Sequence, residues 1–265
     1  MKDISVILPL HEFNQDVSTW LKMAVKSVDN QTVRPEKLVI VYDPSLESQI
    51  KAAITDEETK NIKEDIIYLP NTTGEYDFAS QINFGVSNIT TEYFSFLEID
   101  DEFSRIWFKN VKKYIEAYPN VEMFLPIVVE TDPNGNFITF TNETVWAKDF
   151  AEEMGLLDNN TLSRYANYNF DGMVLKTEVF NRFGKLKSSI KLSFIYEFLL
   201  RLTYNDVKVM VIPKLGYRHT NQRPGSLFIE YQTKLSQEEA KFWLNLAKKE
   251  YFFKDDRKIM YELAK

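Results

Sequence analysis

The sequence contains no cysteine. Disulfides, thiolate metal sites and cysteine nucleophiles are therefore excluded. No stretch approaches the ~20 apolar residues that a membrane span requires. The opening, "MKDISVILPLHEF", has only a short apolar run that contains Pro9. It lacks the longer apolar core and small-residue cleavage site of a secretory signal. Acidic residues outnumber basic ones 39 to 32, and the basic ones form no stripe, so nucleic acid is not the expected partner. Internal repeats and low-complexity linkers are also missing. These absences lead us to expect a soluble, cytoplasmic protein with no membrane span.

What is present is a chain of 265 residues, 44% of them hydrophobic and 14% aromatic, enough for a sizeable core. In the first hundred residues "ISVILPL" (4–10), "KLVIVYD" (37–43), "DIIYLP" (65–70) and "YFSFLEI" (93–99) are short β-branched or aromatic runs. Such runs read as strands buried on both faces, as in a parallel sheet. Between them Val17, Leu21, Ala24, Val25 and Val28 repeat at helical spacing, as do Phe78, Ile82, Gly85, Val86 and Ile89. The strand starts recur roughly every 30 residues, the length of a βαβ unit. The pattern predicts a doubly wound α/β arrangement, with ligands beyond the carboxyl ends of its strands.

The second half changes character. "VEMFLPIVVETD" (121–132) predicts a strand, and "DPNG" before "FITFT" predicts a hairpin. "YNFDGMVLK" (168–176) and "VKVMVIP" (207–213) read as further strands, with a helix marked by Leu192, Ile195, Leu199 and Leu202. "GYRHTNQRPGS" (216–226) reads as a polar loop. Ser236 and Glu239 form a capping box that opens a helical segment running to about the end.

At the end of the fourth apolar run, "FSFLEIDDEF" gathers Glu98, Asp100, Asp101 and Glu102. Like charges this close repel, unless they face water or a divalent cation. "SVILPL", "KSVDNQT", "VIVYDPS", "INFGV" and "TTEYFSFLEIDDE" follow one another in order. In this respect the sequence resembles the family 2 glycosyltransferases of the GT-A fold, well over about residues 4–104 and more loosely to about 226. The resemblance implies an α/β fold of GT-A (Rossmann-like) type: a mixed, mostly parallel sheet flanked by helices. With it we expect a glycosyltransferase domain over residues 1–226 and a C-terminal helical extension over 227–265 packed on it.

The resemblance also implies a nucleoside diphosphate sugar donor, transfer to an acceptor hydroxyl with inversion, and Mn²⁺ or Mg²⁺ held by the acidic motif. UDP-sugars are modestly favoured as donor, and a glycan or other hydroxyl compound is the acceptor. Asp100, Glu98 and His219 are then the implied metal ligands, with Asp101 behind them. Glu98 stands where the family usually has Asp. Pro9, Leu10, His11, Glu12, Tyr42, Asp43, Asn83, Glu98, Arg218 and Arg223 are the implied nucleotide contacts, with Ser226 beside the two arginines. Tyr42 occupies a place where relatives commonly carry a base-reading carboxylate, and Ile82 a place where they often carry Arg.

For the catalytic base, Phe194 and Ile195 replace the family's acidic pair. Glu197 and Asp171 remain as candidates. Glu197 is also four residues from Arg201 on one helix, the spacing of a surface ion pair. Trp146, Tyr165 and Tyr168 are candidate acceptor platforms, though in a chain with 38 aromatic residues core packing is the better explanation for any one of them. Three alternatives stay open. A sugar nucleotidyltransferase would need a glycine-rich loop after the first strand, and "PLHEFNQD" has no glycine. A non-catalytic nucleotide-sugar binder would explain the missing acidic pair. A calcium loop would need a glycine and ligand spacing that "EIDDEF" lacks.

Overall fold

The structure is a computed structural model that describes residues 3–221, 223 and 236–257. Its ten described strands form one mixed sheet. The first half is β1 (Ile4–Leu10), α1 (Gln15–Asp29), β2 (Lys37–Tyr42), α2 (Glu47–Ala53), β3 (Ile66–Pro70), α3 (Phe78–Ser87) and β4 (Tyr93–Phe96). Strands β3, β2, β1 and β4 pair in parallel. β1 is buried at every position, as a central strand covered on both faces should be. The apolar stripe of α1 packs on one face and that of α3 on the other, in two separate core clusters. Asn14 and Asp77 cap these two helices through their side chains.

The second half supplies β5 (Glu102–Phe103), α4 (Trp107–Ala117), β6 (Met123–Thr131), β7 (Phe137–Thr141), β8 (Leu156–Leu157), α5 (Asn159–Arg164), β9 (Val174–Lys176), α6 (Thr177–Phe183), α7 (Phe194–Tyr204) and β10 (Val209–Thr220). β9 runs antiparallel to both β4 and β6, so β6 points the same way as β4. β10 is parallel to β6, and the order across the sheet is β3-β2-β1-β4-β9-β6-β10-β5, with β7 also pairing β6 and β8 pairing β10. The carboxyl ends of β1, β2, β4, β6 and β10 therefore all open on one edge of the sheet. The helix α8 (Gln237–Glu250) begins with the expected capping box and packs Trp243 and Leu246 on Ile190.

Four expectations need correction. The fourth strand ends at Phe96, because the chain turns and the Asp101 N–H donates to the Glu98 carbonyl. Only Val174–Lys176 of "YNFDGMVLK" is strand, since Gly172 sits at φ +70° and breaks extended geometry. Residues 216–220 are strand, not loop: β10 follows β6 as far as the pair Thr220 and Thr131. The C-terminal helix stops at Glu250, short of the end.

Candidate active site

The open edge brings three segments together. After β4, the turn at Glu98–Asp101 carries Asp101 inward to zero exposure. From β10, the Thr220 N–H donates to Asp101 Oδ1 at 2.8 Å, and His219 Nδ1 lies 3.0 Å from Asp101 Oδ2. The same nitrogen lies 3.3 Å from Asp171 Oδ2. Asp171 comes from the turn before β9. Its N–H donates to Asn169 Oδ1, Phe170 anchors the turn in the second core cluster, and Gly172 follows. A Cβ on Gly172 would meet Tyr217 at 2.6 Å, so glycine is required both for the backbone angle and for this approach. The Trp107 indole N–H donates to the Gly172 carbonyl and holds the turn down.

Asp101, Asp171 and His219 each offer a ligand atom within 4.8 Å of the others. The two carboxylates suit Mn²⁺ or Mg²⁺ in donor chemistry, and a neutral imidazole beside them favours Mn²⁺. The electrostatics agree with a site that wants a cation. Burial and the charges of Asp171 and Asp101 push Glu98 well above the usual carboxylate range. Burial likewise raises Asp171 to about 6, against the opposing pull of His219, and Glu98 hydrogen-bonds to it. Burial alone would lower His219, but the summed charges of Asp101, Asp171 and Glu98 raise it well above its ordinary value. The Tyr217 hydroxyl accepts the Glu98 N–H at 3.0 Å and closes the floor.

Of the implied metal ligands only one belongs to this cluster. His219 lies in the cluster, but the motif carboxylate facing it is Asp101 rather than Asp100. Asp100 turns the other way and pairs with Arg223, Nε to Oδ2 at 2.6 Å. Glu98 sits beside Asp171, bound to it and outside the trio.

The nucleotide contacts are likewise divided. Pro9, Leu10, His11 and Glu12 lie at the end of β1, with His11 and Glu12 exposed. Packing lowers the His11 imidazole, Glu12 raises it and the charge of Arg223 lowers it further. Tyr42 is fully buried in the first core cluster, so its ring cannot face a nucleobase. Asp43 accepts from Ser45 and caps the turn after β2. Both ends of the Asn83 amide are taken by the backbone of Leu186. Arg218 pairs with Glu102 across β10 and β5, on the strand position next to His219. Ser226 lies outside the described residues.

Glu197 is not a surface residue. Its side chain has 0% exposure, and its two oxygens meet Lys187 Nζ at 2.8 Å and Arg201 Nη2 at 3.0 Å. Lys187 also donates to the carbonyls of Glu250 and Phe253, and Arg201 to those of Phe183, Lys185 and Lys254. The result is a buried knot that ties α7 to the chain after α8, with no oxygen left to face an acceptor. Of the aromatic candidates, Trp146 donates to the Val211 carbonyl and packs over Gly155, and Tyr168 is buried. Tyr165 is half-buried, edge-on to Tyr168.

Residues 5–173 match the model of "Glycosyl transferase family 2". The chain belongs to that family. It is a glycosyltransferase by that membership. It is 29% identical over 120 residues to the "Minor teichoic acid biosynthesis protein GgaB" of Bacillus subtilis (strain 168). That match covers 44% of this chain and only 12% of GgaB. Among solved structures, S. aureus TarS 1-349 in complex with UDP-GlcNAc superposes with a TM-score of 0.65 at 15% identity, over 92% of this chain and 65% of that one. The complex of TarS 1-349 with UDP gives a TM-score of 0.60 at 14% identity, over 92% and 78%. At this identity the likeness speaks for the GT-A fold. Among the described residues no helix is long and apolar enough to cross a membrane.

Proposed function

We propose that this chain moves a sugar from a nucleoside diphosphate sugar, a UDP-sugar in preference, to an acceptor hydroxyl with inversion. The observation that carries the reading is the Asp101–Asp171–His219 cluster on the open edge of a family 2 glycosyltransferase sheet. The UDP and UDP-GlcNAc complexes of TarS support the donor class. GgaB supports a teichoic-acid-type polymer as acceptor.

Asp101 and His219 would hold Mn²⁺ or Mg²⁺, with Asp171 beside them. When bound, such an ion offsets the charge that builds on the leaving diphosphate. Asp171 takes the acceptor proton, being the one cluster carboxyl whose raised value, about 6, suits a base near neutral pH. Asn169, Gly172 and Trp107 fix its position. One base and an in-line attack invert the anomeric centre. Residues 1–226 form the transferase domain in this reading, and 227–265 an extension upon it.

The test is UDP release from UDP-GlcNAc with Mn²⁺ and teichoic acid. Asp171→Asn should cost roughly 10²–10⁴ in turnover while UDP still binds. A base must be deprotonated, so wild-type turnover should rise with pH through about 6 or below, because a bound cation lowers the carboxyl further. Turnover that falls over that range, or full activity in the variant, would defeat the assignment.

A further inference from the structure

We infer that Trp20 and Asp100 are positioning residues that fix Arg223 as a permanent cation for the donor diphosphate, giving that diphosphate a contact independent of metal. The inference rests on the nucleotide-sugar reading above and assigns roles to residues that this reading leaves idle.

Arg223 is only 7% exposed. Its Nε–H donates to Asp100 Oδ2, and its guanidinium lies 4.4 Å from the centre of the Trp20 ring. Trp20 stands on α1 and packs against the first core cluster, so the shelf is rigid. Asp100 is rigid too, because its carbonyl accepts the Thr220 hydroxyl at 2.6 Å. One edge and one face of the guanidinium are thereby used. Among the described residues no acceptor meets its four remaining N–H donors. The fork of its terminal nitrogens matches the oxygens of a phosphate. It therefore lies between α1, through Trp20, and the acidic turn, through Asp100. The same pairing occupies Asp100, which explains why that carboxylate stands outside the metal cluster. A lysine could not replace this arginine, since an ammonium neither stacks flat nor presents a fork.

The experiment measures binding of UDP, inorganic pyrophosphate and uridine by calorimetry, in EDTA and in Mn²⁺. Wild-type protein should bind UDP and pyrophosphate in EDTA, more weakly than with Mn²⁺. Trp20→Ala should weaken both in EDTA by about tenfold or more, with uridine unchanged and Trp20→Phe restoring most of the loss. Arg223→Gln, on a residue outside every helix and strand, should reproduce the loss even where Trp20→Ala does not fold. Equal affinity in wild type and Arg223→Gln in EDTA, or no binding of pyrophosphate to wild type in EDTA, overturns the inference. Failure of the underlying reading looks different: neither UDP nor UDP-GlcNAc would bind even with Mn²⁺.

Discussion

A single carboxylate, Glu197, shows how far residue type alone can mislead about role. Burial raises its proton affinity, and the cations of Arg201 and Lys187 oppose that. With both oxygens engaged it is a structural anion. Glu197→Gln should therefore leave two buried cations without their counter-charge, at a cost of about 3–5 kcal/mol. Urea unfolding measures this. A loss below about 1 kcal/mol together with a hundredfold drop in turnover would restore Glu197 as the base. The acidic knot at 98–102 was legible as a candidate site from its spacing. Which carboxylate faces His219 was not. Tertiary partners separate the two, with Asp101 facing His219 and Thr220 and Asp100 facing Arg223, and periodicity carries no trace of them. Trp20 gave no signal either, because its partner Arg223 is brought to it only by the tertiary fold.

At the scale of elements, the strands buried on both faces were the most legible, since an uninterrupted β-branched run has few other uses. The helices α1, α3 and α7 showed in their apolar spacing. The shorter α2, α5 and α6 did not, because tertiary packing rather than repeat pattern holds them; α4 does carry a helical stripe, Trp107, Phe108, Val111 and Ile115, which went unread. β10 ran past its apolar segment for a related reason. Its polar end, Arg218 to Thr220, is strand because β6 pairs with it, and that pairing is what delivers His219 to the site. The α3 helix lies close on the sheet through Gly85. A Cβ there would meet Ile7 Cγ2 at 2.7 Å and Val41 Cγ2 at 3.0 Å, both on stiff β-branched side chains. Gly85→Val should cost about 3 kcal/mol by overpacking. It should also weaken donor binding, because Gln81 on the same helix donates to the Leu10 carbonyl at the end of β1. Thermal melting and UDP titration read the two effects. An unchanged melting temperature would contradict the close packing.

For the whole molecule, one sheet direction collects the ends of β1, β2, β4, β6 and β10, and the second half of the chain supplies two of the three cluster residues. The knot of Lys187, Glu197 and Arg201 fastens the segment after α8 beneath α7, so the C-terminal helix is anchored to the same body. The central claim is that the donor site is built on Asp101, Asp171 and His219, with Asp100 given over to Arg223. Calorimetric titration of UDP, with and without Mn²⁺, into wild type, Asp101→Asn and Asp100→Asn tests it most directly. The account predicts that Asp101→Asn abolishes the gain in affinity from Mn²⁺, whereas Asp100→Asn keeps that gain and loses affinity in EDTA. The reverse pattern, with the metal gain lost in Asp100→Asn and kept in Asp101→Asn, would contradict it.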